Sequence, residues 1–427
     1  MRGRLTRRST LAGLAAAPLA ACSGEARGGA LRFWAMGREG EVVQSVMPGF
    51  TAANPGLEVE VQQLPWSAAH AKLLTAFAGG DLPDLIQIGN TWLPEFVALN
   101  AFERLDGRLR GSVATGPQNG FAGIWATNVV AGGLYGVPWY VDTRLLFYRR
   151  DLLAKAGHPA PPSTWEEWLA TMEAVKGVAG AGNYSALLPL DEYEPLLTLA
   201  LQQDDPLLAA GGGRGNFQSP GFKAALGFYG EIFRRGLAPP AADTQIGNLY
   251  DEFARGYFSF LVTGPWNLGE FARRLPAADQ GVWATAPMPG PRGPGAGIAG
   301  GSSLAVRAGS PRADAAWTLI EYLTEPRIQS QFWSLIGDLP AVRAAWTAPS
   351  LASDPHAAAF RSQLERVKPT PKVPEWERIA TEMQLVAEQM VRERISVESA
   401  AAEIDRRADR LLEKRRWMLS RGLARPA

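Results

Sequence analysis

Hydrophobic residues recur at two different spacings within the first hundred positions of this chain. Residues 31–34 and 85–88 form short apolar runs, and residues 57–61 alternate between apolar and polar side chains, so these three segments predict strands. Residues 39–53 and 68–78 carry apolar side chains three or four positions apart, which predicts a helix after each of the first two strands. Strands that alternate with helices are typical of a parallel sheet with helices on its faces.

Several predicted helices carry recognisable start or bend signals. Pro48 is expected to kink the first helix, and Ser67 is expected to cap the second. Thr164 and Glu167 have the spacing of a capping box, and Ser396 precedes a last apolar stripe. These signals predict that helices continue to separate the strands far along the chain.

Three further strands are predicted in the middle of the chain, at residues 134–137, 145–148 and 257–262. Residues 138–143 are predicted to connect the first two of them. Residues 286–301 are rich in proline and glycine, which predicts a linker or crossover.

Polar and aromatic side chains follow the first three predicted strands. Ligands of open α/β sheets bind beyond the carboxyl ends of the strands, so these loops predict a binding site for a polar, flat-faced ligand. The side chains that the loops offer are Arg38, Glu39, Gln63, Trp66, Asn90, Thr91 and Trp92.

The N-terminal segment has the order of an export signal. Arginines are followed by a weakly apolar run over residues 11–21, which is too short to cross a bilayer, and then by Cys22, the single cysteine of the chain. The small residues at 19–21 predict cleavage before Cys22 and its lipidation, which would tether the mature chain to a membrane. The alternative is a chance cysteine after an ordinary secretion signal. Arg7 and Arg8 leave the choice between Sec and twin-arginine export open.

Composition narrows the possible functions. The chain has 427 residues, with 43 Lys and Arg against 42 Asp and Glu, and this near-neutral balance gives no electrostatic case for a nucleic-acid partner. Three scattered histidines and one cysteine disfavour a zinc site or a Cys/His nucleophile, so neither a metal nor another cofactor is expected. Fourteen tryptophans favour a stacking surface over acid–base chemistry.

Some motifs admit more than one interpretation. The spacing of residues 295–300 matches G-x-G-x-x-G, but a Pro-Gly stretch replaces the strand that a dinucleotide site requires, so that site is not expected. Asp191, Glu192 and Glu194 surround Tyr193, and they are interpreted as loop acids, as ligand hydrogen-bonding groups or as a glycosidase pair.

The end of the chain and two tryptophans also leave alternatives open. From position 405 the chain holds eight basic and three acidic residues, which indicates a solvated helix end whose cations complement the helix dipole. Contact with anionic lipid is the alternative. Trp92 and Trp266 flank predicted strand ends, so each is either a ligand platform or a core residue.

Seven short motifs occur in an order that resembles a known family. They lie at residues 50–56, 78–85, 134–138, 146–153, 162–167, 264–266 and 339–343. Each is weak alone, but in this order behind a candidate lipidation motif they are specific. The chain resembles the extracellular solute-binding proteins of bacterial ABC importers, in the large group that carries sugars.

The resemblance implies an α/β fold of two lobes, each a mainly parallel sheet flanked by helices, with the ligand cleft between the lobes. Residues 1–21 would be the signal peptide and residues 22–30 a tether. The first lobe would comprise residues 31–140 with 300–345, and the second lobe residues 141–299 with 346–427.

The resemblance also suggests positions that contact the ligand, at the first loop, the third strand end, the crossover and later segments. Together with the candidates from the residues themselves, the expected ligand-binding set is Arg38, Glu39, Asn90, Trp92, Tyr140, Asp142, Glu192, Tyr193, Trp266, Asn267, Gly301, Ser302 and Arg343.

The function implied by the resemblance is binding without chemistry. An exported, lipid-anchored monomer, periplasmic or on the cell surface, would capture a carbohydrate and deliver it to the membrane subunits of an ABC importer. A di- or oligosaccharide is expected, such as the α-glucosides maltose or trehalose. The alternative is an exported lipoprotein glycosidase or lyase, and the sequence does not identify the sugar.

Overall fold

The computed structural model describes residues 29–112, 115–392 and 394–426. Cys22 and the expected signal peptide lie outside these residues, so the predictions on lipidation and export stay predictions. No helix within the described ranges combines the length and the apolar character that spanning a membrane demands.

The strands of the described chain contribute to two larger sheets and three two-stranded pairs. In chain order they are β1 (Leu31–Met36), β2 (Val59–Leu64), β3 (Leu85–Gly89), β4 (Val129–Val130), β5 (Gly133–Leu134), β6 (Val137–Asp142), β7 (Leu145–Arg149), β8 (Ala186–Leu187), β9 (Leu208–Ala209), β10 (Arg214–Gly215), β11 (Phe260–Thr263), β12 (Trp283–Ala286), β13 (Gly297–Ile298), β14 (Gly300–Val306), β15 (Leu339–Pro340) and β16 (Val367–Lys368).

Helices separate most of these strands and cover both sheets. In chain order they are α1 (Gly37–Val42), α2 (Met47–Ala53), α3 (Trp66–Ala78), α4 (Leu93–Ala98), α5 (Asp106–Leu109), α6 (Ala122–Thr127), α7 (Arg150–Lys155), α8 (Trp165–Ala179), α9 (Glu194–Leu201), α10 (Pro220–Arg234), α11 (Leu249–Ala254), α12 (Trp266–Arg274), α13 (Ala313–Leu323), α14 (Pro326–Ile336), α15 (Pro349–Ala352), α16 (Pro355–Leu364), α17 (Trp376–Val391), α18 (Val397–Leu411) and α19 (Glu413–Ser420).

The first lobe is built on a six-stranded sheet of order β15-β6-β14-β3-β1-β2. Side chains of a strand alternate between the two faces, and β1 is apolar on both. Phe33 and Ala35 join one buried cluster, with α13 and α14, while Trp34 and Met36 join another, with α3 and α4. A sheet that is covered on both sides requires such continuous apolar strands.

The second lobe is built on a four-stranded sheet of order β12-β7-β11-β8. Its strands contribute Phe147, Phe260 and Trp283 to a large buried cluster with α8, α10, α17 and α18. The two sheets, each flanked by helices, confirm the predicted two-lobed α/β class.

Strand direction departs from the mainly parallel sheets that we expected. Among the described strands of the two larger sheets, parallel pairing occurs only between β1 and β2, β1 and β3, and β11 and β8. The reason is that the chain passes between the lobes at their facing edges. Strands β7 and β14 begin at that edge, whereas their neighbours end there. Strand β7 therefore runs antiparallel to β11, and β14 runs antiparallel to β3 and β6.

The connection predicted at residues 138–143 is instead most of β6. The strand was missed because Pro138 has no backbone N–H to donate within a sheet, so a proline at this position argues against a central strand. The pairing of β6 with β14 slips between Ser302 and Ser303, opposite Pro138 and Tyr140, so a bulge accommodates the proline. The predicted linker is also wrong at its end, since Gly300 and Gly301 begin the central strand β14.

Two predicted helix starts differ from the structure. Helix α3 begins at Trp66 after the extended Pro65, so Ser67 already lies in the first turn and caps nothing. The helix expected at 39–53 is divided into α1, a 3-10 turn and α2, with Pro48 near the start of α2. The capping box at Thr164 and the cap at Ser396 are confirmed.

Candidate functional site

A cavity of about 650 Å³ lies between the facing edges of the two sheets. Helix α1 and the loops after β3 and β6 line it from the first lobe, and α9, α12 and the segment before α12 line it from the second. Nine of the thirteen expected residues line this cavity, namely Arg38, Glu39, Asn90, Trp92, Tyr140, Asp142, Tyr193, Trp266 and Gly301.

Tryptophans of the first lobe form one wall of the cavity. Trp66 starts α3 and Trp92 precedes α4, and their ring centroids lie 5.5 Å apart in an edge arrangement. His70 contacts Trp92 from behind at 5.1 Å, and its Nε2 lies 2.7 Å from an oxygen of Glu95. The contact with the His70 ring, which Glu95 holds in place, fixes the orientation of Trp92 in the wall.

Trp266 faces this wall from the second lobe. It follows Gly264 and Pro265 at the end of β11, and a Cβ on Gly264 would come within 1.9 Å of the Trp266 ring, so glycine is required there. The Arg144 guanidinium lies 4.4 Å from the ring centroid. Trp266 nevertheless remains 40% exposed, which makes it available to a ligand.

Acidic groups of the first lobe gather around Tyr140. Burial raises the pKa of the Glu39 carboxyl, although hydrogen bonds with Tyr140 and Trp66 oppose the shift. Burial, and then the nearby Glu39 and Asp142, raise the pKa of Asp338 well above its ordinary value. Asp338 Oδ2 is buried and has no hydrogen-bond partner among the described residues, so this carboxyl keeps hydrogen-bonding capacity for a ligand.

Arg144 joins the two sides of the cavity. It lies in the two-residue connection between β6 and β7, and it pairs with Asp142 of the first sheet at 3.5 Å and with Glu194 of α9 at 3.0 Å. Burial opposes its charged form, but these two carboxylates raise the pKa of the guanidinium above its ordinary value. Its Nε is buried and unpaired within the described chain, which leaves one donor for a ligand.

Backbone geometry shapes the floor of the cavity. Asn90 follows β3, and its side chain donates to the Gly300 carbonyl at 3.1 Å and accepts from Ser303 Oγ at 2.8 Å. Gly301 has a φ of 109°, and a Cβ there would lie 2.4 Å from the Tyr140 carbonyl oxygen. A side chain at position 301 would therefore disrupt the join between β6 and β14.

Four expected residues lie outside the cavity. Asn267 is buried behind Trp266, where it donates to Thr263 and accepts from Tyr250. Ser302 is buried in the sheet and donates to the Ile88 carbonyl at 3.2 Å. Arg343 forms a two-pronged ion pair with Glu365 on the surface.

Glu192 is the fourth of these residues, and it is largely buried next to the cavity. Burial raises its pKa to about 7; the Arg144 guanidinium opposes this shift, while three neighbouring carboxylates add to it. Its titration therefore changes the charge beside the cleft, although Glu192 does not line the cavity.

Sequence reasoning missed several charged residues of the lining. Arg144 lies in the crossover between β6 and β7, and Asp338 follows α14. The other two, Glu270 and Arg273, belong to helix α12, and none of the four follows a predicted strand. Trp66 and Thr91 do follow predicted strands, and that signal could have placed them in the set. Among the described residues, five carboxyl groups and three guanidinium groups line the cavity, and burial raises the pKa of three of these carboxyls, namely those of Glu39, Asp142 and Asp338.

Comparison with known proteins identifies the family. The family model described as bacterial extracellular solute-binding protein matches residues 36–330. The chain belongs to this family. The diacetylchitobiose binding protein DasA of Streptomyces coelicolor is 24% identical over 323 residues, which cover 75% of this chain and 74% of DasA.

Solved structures of other solute-binding proteins share the fold. The sugar-binding protein MalE of Xanthomonas citri is 52% identical with a TM-score of 0.89, over 92% of this chain and 99% of MalE. The maltose-bound MalE3 of T. maritima is 23% identical with a TM-score of 0.75, over 89% of this chain and 99% of that one, and at this identity the likeness shows the fold alone. The two-lobed fold and the family resemblance are thus confirmed.

Proposed function

We propose that this protein captures a neutral di- or oligosaccharide, such as the α-glucosides maltose or trehalose, for an ABC importer. The observation that carries the proposal is the interlobe cavity of about 650 Å³, which lies within the usual range for small-ligand sites and has aromatic walls and convergent polar groups. The 52% identity with a sugar-binding protein over nearly the whole chain supports the same ligand class.

Each part of the lining suits a sugar. Trp266, with Trp66 and Trp92 opposite, would stack on the apolar C–H faces of the rings. Asp338 Oδ2 and Arg144 Nε have no partners within the described residues, so they would bind ring hydroxyls. A hydrogen bond to the charged Arg144 contributes about 1.5–3 kcal/mol, and one to a neutral group about 0.5–1.5 kcal/mol.

These contributions are sufficient for tight binding. Two or three charged hydrogen bonds with one stacked ring reach micromolar affinity, which corresponds to about −8 kcal/mol.

Closure of the lobes would report that the site is filled. A sugar that contacts Asp338 from one lobe and Trp266 from the other stabilises the conformation in which the two lie close together. The membrane subunits of the importer would recognise that conformation and receive the sugar chemically intact.

Calorimetric titration with maltose, trehalose and longer α-glucosides tests the proposal, with glycerol 3-phosphate as the anionic control. We expect micromolar binding of at least one neutral sugar and none of the phosphate. Absence of heat with every saccharide would contradict the proposal. The appearance of new reducing ends during incubation would favour the alternative, a glycosidase.

The location of the protein is part of the proposal. The family is extracellular, and an uncharacterised lipoprotein of Streptomyces antibioticus is 27% identical over 352 residues, which cover 78% of this chain and 76% of that protein. Both support export and a lipid anchor on Cys22.

Replacement of the lipidated cysteine tests the anchor. In cells that express the Cys22→Ser variant, we expect the protein to move from the membrane fraction to the aqueous fraction, because no acyl chain can be attached. Fractionation and immunoblotting measure the shift. A high-salt wash before fractionation removes protein that is held through charge alone. Unchanged membrane association after this wash would contradict lipid anchoring.

A further inference from the structure

The two most exposed large apolar side chains of the described residues lie near each other at the C-terminal end. Trp417 is 56% exposed and Leu423 is 61% exposed. Trp417 belongs to α19, and the Leu423 amide donates to the Met418 carbonyl at 2.8 Å, which folds the chain back beside that helix. The two exposed apolar side chains therefore belong to one short segment that folds back on itself, residues 417–423.

The opposite face of α19 holds the helix in this orientation. The buried Arg415 donates to the Gly212 carbonyl at 3.1 Å and to the Arg425 carbonyl at 3.0 Å. Leu419 packs so closely on Gly213 that a Cβ there would lie 3.1 Å from it. Because these contacts fix the inward face, the helix cannot roll to bury Trp417.

Cations flank the exposed tryptophan. Lys414 and Arg421 lie three positions before and four positions after Trp417, so all three occupy one side of the helix, which also carries Glu413 four positions before Trp417. No described carboxylate forms an ion pair with Lys414 or Arg421. By contrast, Arg407 of the preceding helix α18 is paired with Glu382.

We infer that this C-terminal patch, formed by Lys414, Trp417, Arg421 and Leu423, docks on an anionic lipid surface. Tryptophan and leucine insert at the boundary between headgroups and acyl chains, while the two cations meet lipid phosphates. Four side chains are too few for a stable protein interface, which needs about 800 Å² from each partner, whereas a bilayer offers a continuous surface. The inference depends on neither the sugar site nor a lipid on Cys22.

A local probe tests the docking. The Cys22→Ser chain contains no cysteine, so Leu423→Cys in this background accepts an environment-sensitive dye at the patch. Leu335→Cys, on α14 of the first lobe, places the same dye at another exposed leucine. With phosphatidylglycerol vesicles we expect a blue shift of the dye at 423 and none at 335, and with phosphatidylcholine vesicles none at either position.

Charge and aromatic variants complete the test. In the labelled Leu423→Cys chain, Lys414→Gln with Arg421→Gln is expected to weaken vesicle binding roughly tenfold, and Trp417→Ala is expected to weaken it by a similar factor. Lys155→Gln with Arg361→Gln removes the same charge from exposed positions elsewhere and is the matched control, with a change of less than about twofold expected.

Three results would overturn the inference. Equal shifts at 335 and 423 would indicate adsorption through another segment, such as residues 1–21. An equal shift with phosphatidylcholine would remove the role of the cations. A blue shift that appears on raising the protein concentration without vesicles would assign the patch to self-association.

Discussion

Trp266 is held between two very different neighbours. The backbone at Gly264 lies against one edge of its six-membered ring, and the Arg144 guanidinium lies 4.4 Å from the ring centroid. A ligand that stacks on this ring must therefore displace the guanidinium or approach over the exposed part. Selectivity in the cleft then depends on how well a ligand replaces the contacts of one arginine.

Removal of this ring should weaken sugar binding strongly. We expect Trp266→Ala to reduce affinity by about 2 kcal/mol or more, because an aromatic anchor at the centre of a site contributes this much. Calorimetry with the best saccharide ligand measures the change. Trp417→Ala removes an exposed tryptophan far from the cavity and serves as the control; equal affinities of the two variants would remove Trp266 from the site.

The titration of Glu192 should make stability depend on pH. Its pKa lies at about 7 in the folded chain against 4.5 ordinarily, so the folded chain holds this proton more tightly. The stabilisation of the folded state that comes from this raised pKa is fully present below pH 4.5 and is lost as the pH rises through about 7. Glu192→Gln should therefore raise the free energy of unfolding at pH 8, relative to the parent, by about 1–2 kcal/mol, allowing for partial exposure.

Denaturant unfolding without ligand, at pH 4 and at pH 8, measures this difference. The exposed Glu166→Gln provides a control for the loss of one carboxylate. A Glu192→Gln variant that differs from the parent equally at both pH values would contradict the shifted titration.

The sequence predicted the aromatic and polar lining better than the charged one. Trp92 and Asn90 follow a strand, and strand ends meet at one edge, so their position in the cavity followed from topology. Arg144 and Asp338 reach the same cavity from a crossover and from a loop after a helix, and only the folded chain reveals this. Arg343 came from family analogy alone, and it pairs with Glu365 instead.

Among the elements, α8 shows most clearly how local sequence fixes a helix end. Thr164 accepts from the Glu167 amide at 3.1 Å, and Glu167 accepts from the Thr164 amide at 3.2 Å, so both orphan donors are satisfied. Such a signal depends only on residues three positions apart, which is why the sequence was sufficient to predict it.

Loss of this cap should be measurable. Thr164→Ala is expected to lower the free energy of unfolding by about 1 kcal/mol, because the Glu167 amide loses its partner. Denaturant unfolding measures the effect. Thr381→Ala, at an exposed position within α17, removes the same side chain where no cap exists and is expected to change little. Equal effects of both substitutions would contradict the role of the cap.

Strands β6 and β14 mark the limit of prediction at this scale. Pro138, Gly300 and Gly301 are residues that disfavour strands, yet a bulge and the glycine at position 301 accommodate both strands at the centre of the first sheet. Tertiary pairing overrides the local signal here, and no short window of sequence contains the partner strand.

On the scale of the whole molecule, the cavity between the lobes predicts a shape change on binding. With saturating sugar we expect small-angle scattering to show a smaller radius of gyration, because contacts from both lobes stabilise the closed state. The melting temperature should rise with ligand concentration in the same titration. Thermal stabilisation with an unchanged scattering envelope would mean that the lobes do not close.

The placement of β14 has a consequence for biosynthesis. This strand joins β3 to β6, yet the ribosome makes it only after all four strands of the second sheet have been completed. The earlier strands β1, β2 and β3 must therefore wait, with the edge of β3 unpaired, until β14 has been made. Helices α17 and α18, which cover the second sheet, follow later still. A chaperone that binds the nascent chain would therefore have to shield the edge of β3 until β14 emerges from the ribosome.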